Sequence, residues 1–238
     1  MSEATETRRE RAQQATREEI KATARQQMAQ GDANALSLRA IATAMGLTAP
    51  ALYRYYPSRD ELITALIIDA FHALGDALEE ARRACPPTAY AAQFTTMMQT
   101  YRSWALAHKA DFTLIYGTPI PGYHAPNDVT DPAVRRSTAP LVALLIAAWE
   151  AGALRPDVAY AAAPTHLADR FGVILPEAER DRIPALALHV GFVAWTRLQG
   201  LIMLELFGHI APIGGPPAPF YDFEVRMQLR LLGLAPPR

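Results

Sequence analysis

Apolar side chains recur along this chain at helical spacing. Ile20, Ala24 and Met28 fall at i, i+4 and i+8, and Leu62, Leu66, Ala70, Leu74, Leu78 and Ala81 hold one stripe over more than five turns. Strand-like alternation of β-branched residues is almost absent, while Ala, Leu, Arg and Gln abound. The pattern therefore predicts an all-α chain. A first helix is predicted over Thr16–Gln30, stopped at Gly31. Short ones follow over Ser37–Met45 and Thr48–Tyr55, with Gly46 between them. Pro57 and Ser58 open a long helix. Ser58 and Glu61 stand at capping-box spacing, and Pro86-Pro87 ends it. Helices are then predicted over Ala89–His108, Phe112–Gly117 and Ala133–Ala151, with a Pro/Gly-rich loop from Thr118 to Asp131. The last three are Val158 to about Phe171, Pro184–Phe207 and Phe220–Leu232.

The run from Leu38 to Tyr53 carries the requirements of a helix-turn-helix. Two helices crossing near a right angle need a small residue at their closest approach, and Ala42 supplies it. The turn needs a residue tolerant of positive φ, and Gly46 supplies that. Ile41, Met45, Leu47 and Leu52 fall where apolar contacts would lock the pair, and the first helix must close so small a core. In such a unit the second helix enters the major groove by its N-terminal end. Thr48, Ala49, Pro50 and Ala51 are then the base-facing set, offering one hydroxyl and small apolar surfaces suited to thymine methyls. Tyr53, Arg54, Tyr55 and Tyr56 lie where hydroxyls and a guanidinium could meet phosphates, although clustered tyrosines also suit a core. Arg59, in the first turn of the long helix, is expected on a phosphate. Ser37 and Arg39 complete the expected DNA-contacting set.

Charge sharpens this picture only slightly. The net charge over 238 residues is −1, but residues 1–60 carry nine basic and seven acidic side chains, against fourteen and seventeen in the remainder. One cysteine, Cys85, excludes an internal disulfide and fits a reducing compartment. The polar N-terminus has no signal-peptide core, and the apolar run Leu141–Trp149 is about half a bilayer span, so a cytoplasmic location without membrane contact is expected. No phosphate loop or Gly-x-Ser-x-Gly elbow occurs, and the six histidines never fall three or four apart. Neither a cofactor nor an enzymatic activity is expected. The rival readings are a ligand-binding or interaction module that no longer binds DNA, and an enzyme whose site is assembled from distant residues.

The run Gly46-Leu-Thr-Ala-Pro-Ala-Leu-Tyr-Arg-Tyr-Tyr-Pro-Ser-Arg-Asp-Glu-Leu-Ile63 resembles the signature of the TetR family of bacterial regulators, whose members typically read Leu-Tyr-Arg-His-Phe-x-x-Lys-x-x-Leu there. Tyr55 stands for the usual His, Tyr56 for Phe and Arg59 for Lys, and each swap keeps an aromatic ring or a cation. Trp195-Thr-Arg-Leu-Gln-Gly200 resembles the Trp-x-x-x-His-Gly motif of one C-terminal subgroup, with Gln199 in place of the histidine. The resemblance implies a helix-turn-helix domain over 1–57, with 1–15 as a flexible arm, and a ligand-binding and dimerisation domain over 58–238. It implies a homodimer formed through the last two helices, and Phe192, Trp195, Leu206, Phe223 and Leu229 are the expected interface. Gly191 and Gly200 would permit close backbone approach. It also implies a cavity for a small effector, expected to be apolar or aromatic from Phe94, Met97, Met98, Tyr101, Trp104, Phe112, Tyr116, Trp149 and Phe171. Arg102, His166, Asp169 and Gln199 are the candidate polar groups there. The implied partners are an operator duplex, a second copy of the chain and that effector, and repression is the usual outcome in the family.

Overall fold

The computed structural model describes residues 7–30, 36–160, 175–211 and 215–234. Among them there are nine α-helices and no strand: α1 (Arg8–Gln30), α2 (Leu38–Ala44), α3 (Ala49–Tyr53), α4 (Arg59–Arg83), α5 (Tyr90–Ala107), α6 (Lys109–Tyr116), α7 (Asn127–Glu150), α8 (Ala185–Leu206) and α9 (Pro217–Leu231). Short 3-10 turns cover Val158–Tyr160 and Glu177–Arg182. The predicted helix from Val158 continues outside the described residues, as do Gly31, His166, Asp169 and Phe171.

The chain forms two compact units. One comprises residues 1–70 with 109–126, and the other 71–108 with 127–238. Helix α4 contributes its residues up to Ala70 to the first unit and the rest to the second. In the first unit the predicted stripe is the core: Ile20, Ala24 and Met28 of α1 are buried with Ile41, Leu52, Leu62 and Leu66. In the second, Leu74 and Leu78 of α4 are buried, as are Phe94, Met97 and Tyr101 of α5, Leu144 of α7, Leu198 and Ile202 of α8, and Tyr221 of α9.

Two helix starts differ from the sequence expectation by more than one turn. Helix α1 begins at Arg8, two turns before Thr16. A reciprocal cap explains this: Thr7 N–H donates to Glu10 Oε2 (2.7 Å) and Glu10 N–H donates to Thr7 Oγ1 (3.2 Å). Residues 7–15 are all exposed, so no apolar periodicity marks that extension. Helix α7 begins at Asn127, inside the predicted loop, and includes Pro132 and Pro140. Proline removes one helical bond but does not by itself end a helix that is otherwise packed. Pro140 has no N–H for the Arg136 carbonyl one turn earlier, and that carbonyl lies against Gly75 of α4. A Cβ at Gly75 would come within 2.8 Å of it. Closeness of the two backbones therefore depends on Gly75 having no side chain.

Candidate nucleic-acid interface and sensing body

The helix-turn-helix is built as its sequence requires. Ser37 caps α2, its hydroxyl oxygen accepting from Ala40 N–H at 3.4 Å. At the other end Gly46 has φ +65°, which lets Gly46 N–H reach Thr43 O (3.1 Å) and Leu47 N–H reach Ala42 O (2.8 Å). This is the paired-bond stop in which a left-handed glycine turns the chain out of a helix. Thr48 then caps α3, its hydroxyl accepting from Ala51 N–H at 3.4 Å. The hydroxyl proton is not used in that cap and can be donated outward. Leu52 is fully buried and fastens α3 to the core, while Thr48 and Pro50 are exposed and Ala49 and Ala51 half-buried. The N-terminal end of the short helix thus presents one polar donor and small apolar surfaces on its outer side.

The neighbouring aromatic and basic residues divide into two groups. Tyr53 and Arg54 are exposed and Tyr55 is half-buried, so their polar ends can reach outward. Tyr56 is buried at 5% exposure, with the Arg17 guanidinium 5.2 Å above its ring. Burial pushes its hydroxyl pKa above the ordinary tyrosine value, against the opposing effects of Lys21 and Arg17. Tyr56 therefore belongs to the core and not, as its place in the sequence suggests, to a phosphate-facing surface. Arg59 is half-buried and donates Nε–H to Leu36 O at 3.1 Å, so it ties α4 to the segment entering α2. Arg39 is exposed on the first turn of α2.

A charge cluster that no local pattern could reveal holds α1 in this unit. Lys21 Nζ meets Asp69 Oδ2 at 2.6 Å and Glu18 Oε1 at 2.9 Å. Arg25 reaches Asp69 at 3.4 Å and, through Nε, Asp111 Oδ1 at 2.9 Å. Burial disfavours the charge on Lys21, but hydrogen bonds and charge from Asp69 and Glu18 outweigh it and raise its pKa. Arg25 is raised by the same balance, with Asp111 and Asp69 opposing burial. These contacts link α1, α4 and α6, and the partners lie 44 and 86 residues from Arg25.

In the other unit, Phe94, Met98, Tyr101 and Trp104 of the expected cavity lining are all buried on α5. Tyr101 Oη donates to Gln199 Oε1, so the residue standing for the subgroup's histidine accepts a bond from α5. Arg102 forms a two-pronged pair with Glu205 of α8 (Nε to Oε2 2.7 Å) and lies 5.7 Å from the Tyr221 ring. Arg102 therefore joins α5 to α8 and α9 structurally. Trp149 is 40% exposed on α7 and does not share in that buried set. Phe112 and Tyr116 belong to the first unit, where their rings pair at 5.2 Å. An open cleft of about 460 Å³ is lined instead by Asp157, Arg197, Phe223, Glu224, Arg230 and neighbouring residues.

The last two helices carry an apolar outer face. Phe192, Thr196, Gly200 and Leu204 form an exposed stripe on α8 that continues to Phe207 just past its end, and Phe220 and Phe223 are exposed on α9. Trp195 is half-buried, its ring 5.7 Å from that of Phe192. Leu206 and Leu229, expected on this face, are buried within the chain itself. Gly191 packs inward, where a Cβ would meet Leu145 Cδ1 at 2.7 Å, whereas a Cβ at Gly200 would meet nothing within 4 Å.

Residues 20–66 match the family model described as bacterial regulatory proteins, tetR family. Residues 94–228 match the one described as tetracyclin repressor-like, C-terminal domain. The chain is 33% identical over 214 residues to the HTH-type transcriptional regulator Rv1816 of Mycobacterium tuberculosis, covering 87% of this chain and 88% of that protein. Mb1846 of Mycobacterium bovis, also an HTH-type transcriptional regulator, matches equally. A crystal structure of the regulatory protein SCO4313 is 36% identical, with a TM-score of 0.75 over 94% of this chain and 100% of that one. PfmR, a TetR family transcriptional regulator from Thermus thermophilus, shares the fold at 18% identity and a TM-score of 0.57, over 89% of this chain and 97% of that one. The mycobacterial relatives and PfmR are regulators of transcription and not enzymes. The chain belongs to the TetR family of bacterial transcriptional regulators, with a helix-turn-helix DNA-binding domain ahead of a C-terminal ligand-binding domain.

Proposed function

We propose that this regulator is a cytoplasmic homodimeric repressor that holds operator DNA through α3 and releases it when a small apolar or aromatic effector binds the C-terminal domain. The observation that carries the DNA-binding part is the outer side of α3, where Thr48 and Pro50 are exposed while Leu52 anchors the helix. In this reading residues 1–57 engage DNA and residues 58–238 sense and dimerise. Thr48, Ala49, Pro50 and Ala51 meet base edges. Ser37, Arg39, Tyr53, Arg54, Tyr55 and Arg59 meet the phosphate backbone. The exposed stripe of α8, centred on Gly200, supports pairing of two chains across a twofold axis, since a large apolar face on a lone protomer would be left in water.

Two copies of α3 enter successive major grooves only when about 34–36 Å apart. Helix α4 runs through both units of the chain, so an effector favouring a different tilt of α4 would favour a spacing that misses the operator. A hundredfold loss of DNA affinity requires about 2.7 kcal/mol of difference in effector binding between the two states. The buried aromatic content of α5 supports an apolar or aromatic effector. The test is a mobility-shift assay on promoter DNA beside the protein's own coding region, repeated with compounds that raise its melting temperature. Aromatic compounds are expected to stabilise the protein and release the DNA. Stabilisation by strongly charged compounds alone would overturn the effector assignment, and absence of any shift would overturn the promoter assignment.

A further inference from the structure

The exposed start of α1 has no role in the core. Residues 7–15 read Thr-Arg-Arg-Glu-Arg-Ala-Gln-Gln-Ala, and every one is exposed. The first fully buried residue of the helix is Ile20. The segment is nonetheless helical, started by the reciprocal Thr7–Glu10 cap and continued by a Gln14 Nε2 to Glu18 bond at 2.6 Å. As the prolongation of a packed helix it needs no nucleus of its own. Arg8 and Arg11, three residues apart, share one side of it, with Arg9 flanking. Among the described residues none of these three has a carboxylate partner, and the one acid between them, Glu10, is engaged by the cap.

The direction of α1 is fixed by two contacts. Gln27 Oε1 accepts from Ser37 N–H at 3.4 Å, at the start of α2, and Arg17 lies 5.2 Å from the ring of Tyr56, just past the end of α3. Continuing that axis from Arg17 to Arg8 extends the helix about 14 Å farther, at about 1.5 Å per residue, beyond the turn joining α3 to α4. We infer that Arg8, Arg9 and Arg11 form a helical arm that binds the DNA phosphate backbone outside the bases reached by α3. The inference rests on the proposed DNA-binding function and extends its interface. The arm precedes residue 20, where the match to the family's N-terminal model begins. Its chemistry selects the partner. No large apolar side chain occurs in residues 7–15, so a protein or lipid surface would find nothing to bury there, whereas guanidinium groups suit a dense row of phosphates. Continuity with the head supplies the geometry.

The test compares the full-length protein with the triple variants Arg8→Ala/Arg9→Ala/Arg11→Ala and Arg8→Lys/Arg9→Lys/Arg11→Lys. Each is titrated, from about 50 to 300 mM potassium chloride, against a duplex carrying the best sequence recovered by in vitro selection and against a random-sequence duplex. Each lost phosphate contact lowers the log Kd against log salt slope by about 0.9, so the alanine variant is expected to lose up to about 2.7 per arm. It should bind both duplexes about tenfold or more weakly near 150 mM salt, with its sequence preference unchanged. The lysine variant should restore the slope, and melting temperatures should not move because the arm packs on no core. An alanine variant with wild-type slope and Kd on both duplexes would overturn the arm while leaving the head's role intact. Failure of the wild-type protein to bind either duplex would overturn both.

Discussion

Substitution of Gly46 isolates the backbone geometry on which the DNA-reading head depends. Its φ of +65° is left-handed, and a Cβ there would meet nothing within 4 Å, so a side chain would cost backbone strain and no clash. Left-handed backbone costs a non-glycine residue about 1–2 kcal/mol, while alanine recovers about 0.4–1 kcal/mol by restricting the unfolded chain. Gly46→Ala is therefore expected to weaken the α2–α3 turn by about 1 kcal/mol, a factor of about five in its opening equilibrium. Gly46→Asn should cost less, since asparagine tolerates this region, and Gly46→Val more. Hydrogen exchange of the peptide spanning Leu38–Tyr53 reads this directly. DNA affinity reads it poorly, because a head still mostly folded keeps nearly all of its binding-competent population. Equal protection in the valine variant and the wild type would refute the argument that this turn requires positive φ.

Thr48→Ala removes both the α3 cap and the polar donor at its N-terminal end, and should change preference among operator sequences, whereas equal losses on operator and random DNA would show that Thr48 reads no base. Leu204→Asp with Phe207→Asp, on the exposed stripe along and just past α8, should shift the protein from dimer to monomer by light scattering at micromolar concentration, and an unchanged mass would place the interface elsewhere. Burial raises the pKa of Tyr221, whose hydroxyl donates to Met98 O at 2.8 Å. The unfolded chain releases that proton near pH 10 and the folded chain only above it, so stability should be full below pH 10 and fall as pH rises further. Tyr221→Phe should lose about 1 kcal/mol at neutral pH and flatten part of the alkaline decline in urea melts, and an unflattened decline would assign it to other groups.

The helix-turn-helix was legible because its constraints are local. Gly46 and Ala42 each satisfy a requirement set within a few residues, and in the structure Gly46 has a positive φ and Ala42 is buried. The start of α1 was not legible in the hydrophobic periodicity, which reports packing, because the exposed segment packs on nothing. Its Thr7–Glu10 cap was a readable signal that the apolar pattern overshadowed. The start of α7 was obscured because Pro132 resembles a loop residue, yet the helix continues through it. The roles of Tyr56 and Arg59 also depend on distant residues. Arg17 covers the first and the Leu36 carbonyl receives the second. Leu206 and Leu229 show the limit of composition on helices apolar on two sides: residue type does not tell which side meets the chain's own core.

Binding of operator DNA by a symmetric pair of α3 helices is tested most directly by the duplexes that the full-length protein enriches from a random pool by in vitro selection. The expected product is a twofold-symmetric sequence whose half-sites are centred about one helical turn apart, matching two copies of α3 in successive major grooves. Recovery of sequences with no symmetry, or no enrichment above a heparin-competed background, would contradict it.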